Sequence, residues 1–539
     1  MNKNLLSGAA LVLSLGFSSC VGDLDVTPID PNTIMTVDEV ALYTKCYANM
    51  ALPGNYGGNG DCDIDGLDGG TAGFLRQLFN ANELTTDESI CAWGDPGIPA
   101  FNYNQWDADH PMLAGLYYRL YVGIDYCNHY LEVCAGIDKT REAEVRFLRA
   151  LYYYYLMDNF GNLPFATAIS AESPQQIQRA ELFAWLENEI KNPETGFMKD
   201  MQAPVARKSS DQGYGRADQD AANMLLARMY LNAEVYTGTA RWSEAQQYAD
   251  AIINGKVHKL WETGATDSKG NYWSAYQMLF MGDNGENGAS VECILPLLQD
   301  GQTTTSWGTS LFLMASTWKA DMDTDATYGT TEFWAGNRCR STFVKKFFPD
   351  GNAPATDYRG MTAAAHDDRA LLHGIDRELY VSTPTDYASG YACAKFRNTY
   401  STGAAPHHSQ FVDMDFFLMR VGEAYLIAAE AAKRQNQSAA NYINELRKRA
   451  NCATLVTEAD CTLDYILDER SRELFYEGFR RTDLIRYGYF GGSNSSKYVW
   501  EWKGGNESGI GFNENLNVFA LPSEDVNANS NLKQNTGYN

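Results

Sequence analysis

Positive charge is scarce in this sequence. It carries 43 Lys and Arg against 68 Asp and Glu, a formal net charge of −25, whereas a protein that grips a phosphate backbone normally presents a basic surface. Nucleic acid is therefore not an expected partner. No apolar run reaches eighteen residues, so no segment is expected to span a membrane as a helix. None of the eleven cysteines forms a C-x-x-C pair, which leaves zinc ribbons and thioredoxin-type motifs unsupported. They are too few for a disulfide scaffold, and most are expected to be buried as small hydrophobes. Catalytic signatures are missing too. There is no H-E-x-x-H among the seven histidines, no G-x-S-x-G elbow, no P-loop and no G-x-G-x-x-G fingerprint. A glycosidase pair of carboxylates is defined by separation in space, so 68 acidic residues neither show nor exclude one. The expectation is a protein that is not an enzyme.

What is present is apolar and aromatic: 45% and 13% of 539 residues, far too much for a disordered chain. Lys3, an apolar stretch over 5–17 and the small residues Ser18 and Ser19 read as a secretory signal over residues 1–19. The following Cys20 resembles the lipidated cysteine of a bacterial lipobox. Asp23 and Asp25 resemble the surface-export signal of some outer-membrane lipoproteins. The expected address is the cell surface, with a lipid anchor on Cys20.

Helical periodicity is clear in six places. Over 141–160, Val145, Leu148, Tyr152 and Tyr155 recur at three- and four-residue spacing, with Gly161 and Pro164 as a stop. Helices are also expected over 217–233 and 243–253, the second capped by Ser243, with a turn around Gly238. Ala221, Ala227, Ala245 and Ala249 would let these two approach closely, and the pair resembles a tetratricopeptide-type hairpin. Further helices are expected over 417–433, 439–450 and 463–487, where Glu469 and Glu473 with nearby arginines suit solvated or interhelical faces. Residues 53–108 and 255–410 are rich in Gly, Asp, Thr, Tyr and Trp without sustained period, as functional loops are. The expected fold is mainly α: a helix-pair scaffold with long irregular aromatic-rich loops.

Two acidic patterns are weak metal candidates. The segment 61–66 copies the opening of an EF-hand loop, but its twelfth position is Ala72, so it reads as an acidic turn. Asp321, Asp323 and Asp325 read as solvated. The tryptophans are more informative. Trp93, Trp307 and Trp334 all sit in polar, turn-rich contexts. A flat indole packs on the apolar face of a sugar while nearby polar groups bond its hydroxyls. Three such contacts, each worth roughly 0.5–1.5 kcal/mol beyond burial, suit a weak binder of long chains.

The segments AEVRFLRALYYYYLMDNFGNLPF, FFLMRVGEAYLIAAEAA, INELRKRANC and RELFYEGFRRTDLIRYG resemble the SusD/RagB family of outer-membrane nutrient-binding lipoproteins. The likeness continues to ALPSEDVNANSNLKQNTGY, which implies one SusD-like domain over 20–539. DGLDGGTAGFLRQLFNANELTTDESICAW, LPLLQDG and YVWEWKGG are similar to the starch-binding member, in which an aromatic arc cradles a curved α-glucan. The resemblance implies arc positions for Trp93 and Trp334, with Trp307 where that member has Tyr. It implies polar contacts from Arg76 and Asp68. Just after Trp93 the chain is one residue shorter, and Asp95 is the candidate contact there. The resemblance also implies a structural calcium at Asp283, Asp413 and Asp415, although GDNGENGAS departs in length and acidity. Starch or maltooligosaccharide is the implied ligand, and a SusC-like TonB-dependent barrel the implied partner.

Overall fold

Asp138 opens the central helix. Its carboxylate accepts from the amides of Thr140 and Arg141 at 2.9 and 3.1 Å, and the helix runs Lys139–Phe160 until Gly161 turns the chain at φ 73°. In the computed structural model, which describes residues 37–59, 62–322 and 328–538, this helix is buried on every side from Phe147 to Phe160. The four-position stripe read from the sequence is thus part of a fully enclosed rod, as an apolar helix inside a large core is. Its tyrosine hydroxyls are satisfied internally: Tyr152 donates to Cys46 O at 3.0 Å and Tyr153 to Ala166 O at 2.6 Å. The preceding helix, Pro111–Val133, packs against it as the other half of a hairpin.

A second hairpin joins Gln219–Leu231, capped by Asp218, to Trp242–Gly255. Ala221, Ala227, Ala245 and Ala249 are all 0% exposed, so the backbones approach as expected. Ser243 is not the cap: the helix begins one residue earlier, with Arg241 at the N-cap and its guanidinium held by Glu244 at 2.5 Å. The helix Val421–Arg434 packs across both members of the hairpin. The architecture is mainly α, with tetratricopeptide-like helix pairs.

Three expectations need correction. The helix expected from 417 begins only at Val421, because Phe416–Arg420 is a buried strand paired antiparallel with Cys293–Leu297. The helix expected over 463–487 is two, Leu463–Leu474 and Arg480–Arg486. Between them Tyr476 and Gly478 take φ 64° and 87°, and Glu83 accepts the amides of Gly478 and Phe479 at 2.6 and 3.2 Å. The stretch 72–91, read as loop, is buried at every position and holds the helix Phe74–Asn82 and the strand Ser89–Cys91. Its polar residues are paid for by distant partners, such as Asp87 bound to Arg480 at 2.6 Å.

Glu469 and Glu473 are interhelical but not solvated, each 0% exposed. Asp63 of the EF-hand-like turn pairs with Lys45 at 3.3 Å, and Asp321 is exposed. The ten described cysteines are free thiols and eight are buried. No described helix is long and apolar enough to cross a membrane. Residues 40–539 form one compact unit. The signal segment, Cys20, Asp23, Asp25, Asp61, Asp323 and Asp325 lie outside the described residues.

Candidate functional site

Strand pairing brings the first two tryptophans together. Ser89–Cys91 runs antiparallel to Asn337–Cys339, and Trp93 follows one strand while Trp334 precedes the other. Their ring centroids lie 6.3 Å apart with planes at 52°, and the Trp93 indole N–H donates to Trp334 O at 3.1 Å. Gly336 makes this contact possible, since a Cβ there would stand 2.2 Å from Trp93 Cε2. Trp334 is fixed from its other edge. Its indole N–H donates to Glu332 Oε2 at 2.7 Å, while Gln410 Nε2 donates to Glu332 Oε1 at 2.8 Å.

The row continues. Trp307 stands 6.1 Å from Trp334 at 39°, and Phe411 stands 4.9 Å beyond Trp307. Gly58 leaves room under Phe411, where a Cβ would come within 2.6 Å of the ring. The three tryptophans are half-buried, whereas Trp273, Trp318 and Trp500 are at most 2% exposed. Successive rings are tilted rather than coplanar, and Phe411, 7% exposed, backs the three half-buried tryptophans from the core side.

Arg76 lies beneath one end of it. The helix Phe74–Asn82 places its guanidinium 5.5 Å from the Trp93 ring and 5.2 Å from Phe312. Its backbone N–H donates to Gly308 O at 3.0 Å where the chains at Gly73 and Gly308 nearly touch, and Nη1 donates to Gly70 O at 3.2 Å. Its Nε is buried without a partner. Burial lowers the Arg76 pKa, and the nearby carboxylates of Asp95 and Asp68 oppose that shift. Asp68 is pushed up by partial burial. The Thr71 hydroxyl, the Thr71 and Gly70 amides and Arg76 outweigh this and hold it below the usual carboxylate range. Asp95 is exposed. The six residues singled out from sequence are thus brought together. Phe411, Glu332, Gln410 and Gly336 were missed. Only Glu332, two positions before Trp334, carried any local signal.

The aspartates proposed for calcium meet elsewhere. Asp283, Asp413 and Asp415 line a cavity of about 400 Å3 together with Asp300 and Glu286. Each is engaged by protein donors: Asp283 by Ser401 Oγ at 2.7 Å, Asp413 by His407 Nδ1 at 2.9 Å, Asp415 by the Tyr214 hydroxyl at 2.8 Å. Burial raises the Asp415 pKa to about 7; Gln299 and Tyr214 oppose this, while Asp300 and Asp413 add to it. Oxygen donors of this kind suit a hard cation. Their placement does not: among the described residues no three acidic, imidazole or thiol groups gather to hold a metal ion.

The SusD family model matches residues 372–538. The chain is 37% identical to starch-binding protein SusD of Bacteroides thetaiotaomicron over 99% of both chains. It is 22% identical to SusD-like protein P25 of Formosa agariphila, over 64% of this chain and 63% of that one. Among solved structures, surface glycan-binding protein A from Bacteroides uniformis matches with a TM-score of 0.65 at 20% identity, covering 92% and 98% of the two chains. The corresponding protein from Bacteroides thetaiotaomicron, in complex with laminarihexaose, matches at 0.63 and 18% identity, covering 92% and 98%. These structural matches are likenesses of fold. With 37% identity sustained along the whole length, the chain belongs to the SusD family.

Proposed function

We propose that this protein is a surface glycan-binding lipoprotein that holds starch or maltooligosaccharides on the Trp93–Trp334–Trp307 arc and hands them to a SusC-like TonB-dependent transporter. The observation that carries this reading is the continuous row of half-exposed rings, 6.3 and 6.1 Å apart and turned by 52° and 39°. A straight β-1,4 chain presents its sugar faces in near-parallel planes and asks for a flat bench. A helical α-glucan turns its faces from sugar to sugar, and rings tilted to one another suit such a chain better than a flat bench does. Arg76, Asp68 and Asp95 flank the arc and supply a donor and acceptors for hydroxyls. Affinity need not be high. A Kd of about 1 mM corresponds to about −4 kcal/mol, and repeated engagement along a polymer multiplies the effect.

The reading is binding without turnover. A glycosidase acid is kept protonated near neutral pH by a raised pKa. Asp68 is shifted the other way, and Glu332 spends both carboxylate oxygens on Trp334 and Gln410. Titration with maltoheptaose, cellohexaose and laminarihexaose, alongside Trp334→Ala, tests the proposal. Maltoheptaose is expected to bind best and to lose that preference in the variant. Equal binding of all three, or an unaffected variant, would overturn the α-glucan reading; release of reducing ends would overturn the non-catalytic one.

In this reading the lipid on Cys20 anchors the chain to the outer membrane, so Cys20→Ala is expected to release it from the membrane fraction. Co-purification of a TonB-dependent barrel from detergent-solubilised outer membranes tests the partner. A calcium in the cavity of Asp283, Asp413 and Asp415 would require their side chains to turn from their present partners. Calcium is then expected to raise Tm, and Asp415→Asn to abolish the rise; an unchanged Tm removes the metal from the proposal.

A further inference from the structure

A second cavity shares no residue with the arc. Its volume is about 520 Å3, within the range of about 300–1,000 Å3 usual for small-molecule sites. The helix Pro111–Val133 walls it with Tyr117, Tyr118 and Tyr121, and the central helix adds Tyr153. The exposed segment 168–173 forms a rim, and part of the C-terminal segment, 525–532, adjoins it, with Asn529 Nδ2 donating to Pro174 O at 2.9 Å.

The tyrosines are set in place. Tyr117 stands 4.7 Å from Tyr121 and 5.4 Å from Tyr118 between ring centroids. Tyr121 donates to Pro164 O at 2.6 Å, Tyr153 to Ala166 O at 2.6 Å and Tyr118 to Asp525 Oδ1 at 3.0 Å. With these three hydroxyls committed, the half-buried rings of Tyr118 and Tyr121 offer preorganised apolar surface at little ordering cost, backed by the buried rings of Tyr117 and Tyr153. Charge in the lining has one sign: Asp125, Glu172 and Asp525 are acidic, and none of the described lining residues is basic. An anionic ligand is therefore disfavoured. Ser170 and Ser173 also line it, so the lining combines donors with acceptors around an aromatic wall. A polyol with apolar ring faces and many hydroxyls uses all three.

We infer that this cavity is a second saccharide site, taking a short neutral oligosaccharide or the end of a neutral glycan chain independently of the arc. The inference does not rest on the α-glucan reading. Binding there would give one molecule two grips on a polymer, raising apparent affinity without any new contact at the arc.

The test removes the arc first. In a Trp93→Ala/Trp307→Ala/Trp334→Ala variant of the full chain, ligand-observed NMR with maltotriose, laminaritriose and cellotriose is expected to show residual binding of at least one. Ile169, 51% exposed on the rim, is far from the core, so Ile169→Trp is expected to block the cavity and leave the fold intact. It should weaken the residual binding at least about tenfold while leaving maltoheptaose binding at the intact arc unchanged. Asp525→Asn should weaken it less, and trigalacturonic acid should not bind. Three results would overturn the inference: no trisaccharide bound by the arc-less variant, residual binding indifferent to both cavity variants, or occupancy by tetramethylammonium alone. If the intact protein ignores maltoheptaose but the arc-less variant still binds a trisaccharide sensitive to Ile169→Trp, the arc reading fails and this one stands.

Discussion

The aromatic arc and the buried charged cluster of the C-terminal helices solve opposite problems. At the arc, three large apolar rings stay half in water, Trp93 and Trp334 held by indole hydrogen bonds, with Gly336 against Trp93 and Gly58 against Phe411. In the cluster, full charges are taken out of water altogether. Arg420, 1% exposed, bonds Glu292 at 3.0 Å, Glu473 at 2.7 Å and Glu477 at 2.7 and 2.8 Å. Arg449 bonds Glu292 and Glu473, Arg369 bonds Glu469 at 2.8 Å, and Lys395 bonds Glu477 at 2.7 Å. Burial pushes Glu469 up, but Arg369, Arg472 and Arg447 outweigh it and bring its pKa to about 2. Glu473 is likewise held well below the usual range by Arg449, Arg420 and Arg369. A buried ion network contributes modestly while whole and is costly once opened. The arc rings are only half-buried, so losing one is expected to cost the fold less than opening the network. One region should therefore report on stability and the other on affinity.

The largest effect should come from opening the network. Arg420→Ala strands Glu473 and Glu477 without their shared cation and is expected to destabilise the protein by about 3–5 kcal/mol. Urea unfolding measures this, and a loss below about 1 kcal/mol would mean the network relaxes more than a packed core allows. Acid is the second lever. Carboxylates whose folded pKa is depressed stabilise the fold above their unfolded pKa, and that contribution is lost as pH falls through the folded value. Glu469 and Glu430, both lowered from 4.5 to about 2, place the loss between those two pH values. Tm followed over that window should fall steeply, and a flat profile would contradict the network.

Smaller effects belong to the arc. Trp334→Ala removes the ring between two neighbours and is expected to cost about 2 kcal/mol of glycan affinity, roughly thirtyfold, with little change in unfolding. A large stability loss with intact affinity would reverse the comparison. Gly336→Ala is the finest probe. Its Cβ, 2.2 Å from Trp93 Cε2, must push that ring off line. An affinity loss of about fivefold without loss of the fold is expected by calorimetric titration.

Much of the scaffold was legible. The helices at Lys139–Phe160, Gln219–Leu231 and Trp242–Gly255 were found within two residues because their period and Gly161 and Gly238 are local signals. The segment 72–91 was not, because its polarity mimics a loop: Glu83, Asp87 and Glu88 are buried only because Gly478, Arg480 and Ser471 arrive from almost 400 residues away. For Glu469 and Glu473 the sequence left solvated and interhelical faces both open, and the distant partners Arg369, Arg420 and Arg449 decide for the interhelical one. At the arc, polar surroundings singled out Trp93, Trp307 and Trp334, which are half-buried, whereas Trp273, Trp318 and Trp500 are core residues. Phe411 and Gly336 gave no such sign, since a ring's neighbours are set by strand pairing and loop return.

The sequence by itself determined the helical period, the punctuation by glycine and proline, the sign of the charge and the three tryptophans in polar settings. These are properties of residues and their near neighbours, because helix hydrogen bonds close over four residues. Only the tertiary structure decided which charges are dry and which rings share a surface. Desolvation and ring contact depend on what surrounds a group in space, and in this chain the partners lie hundreds of residues apart.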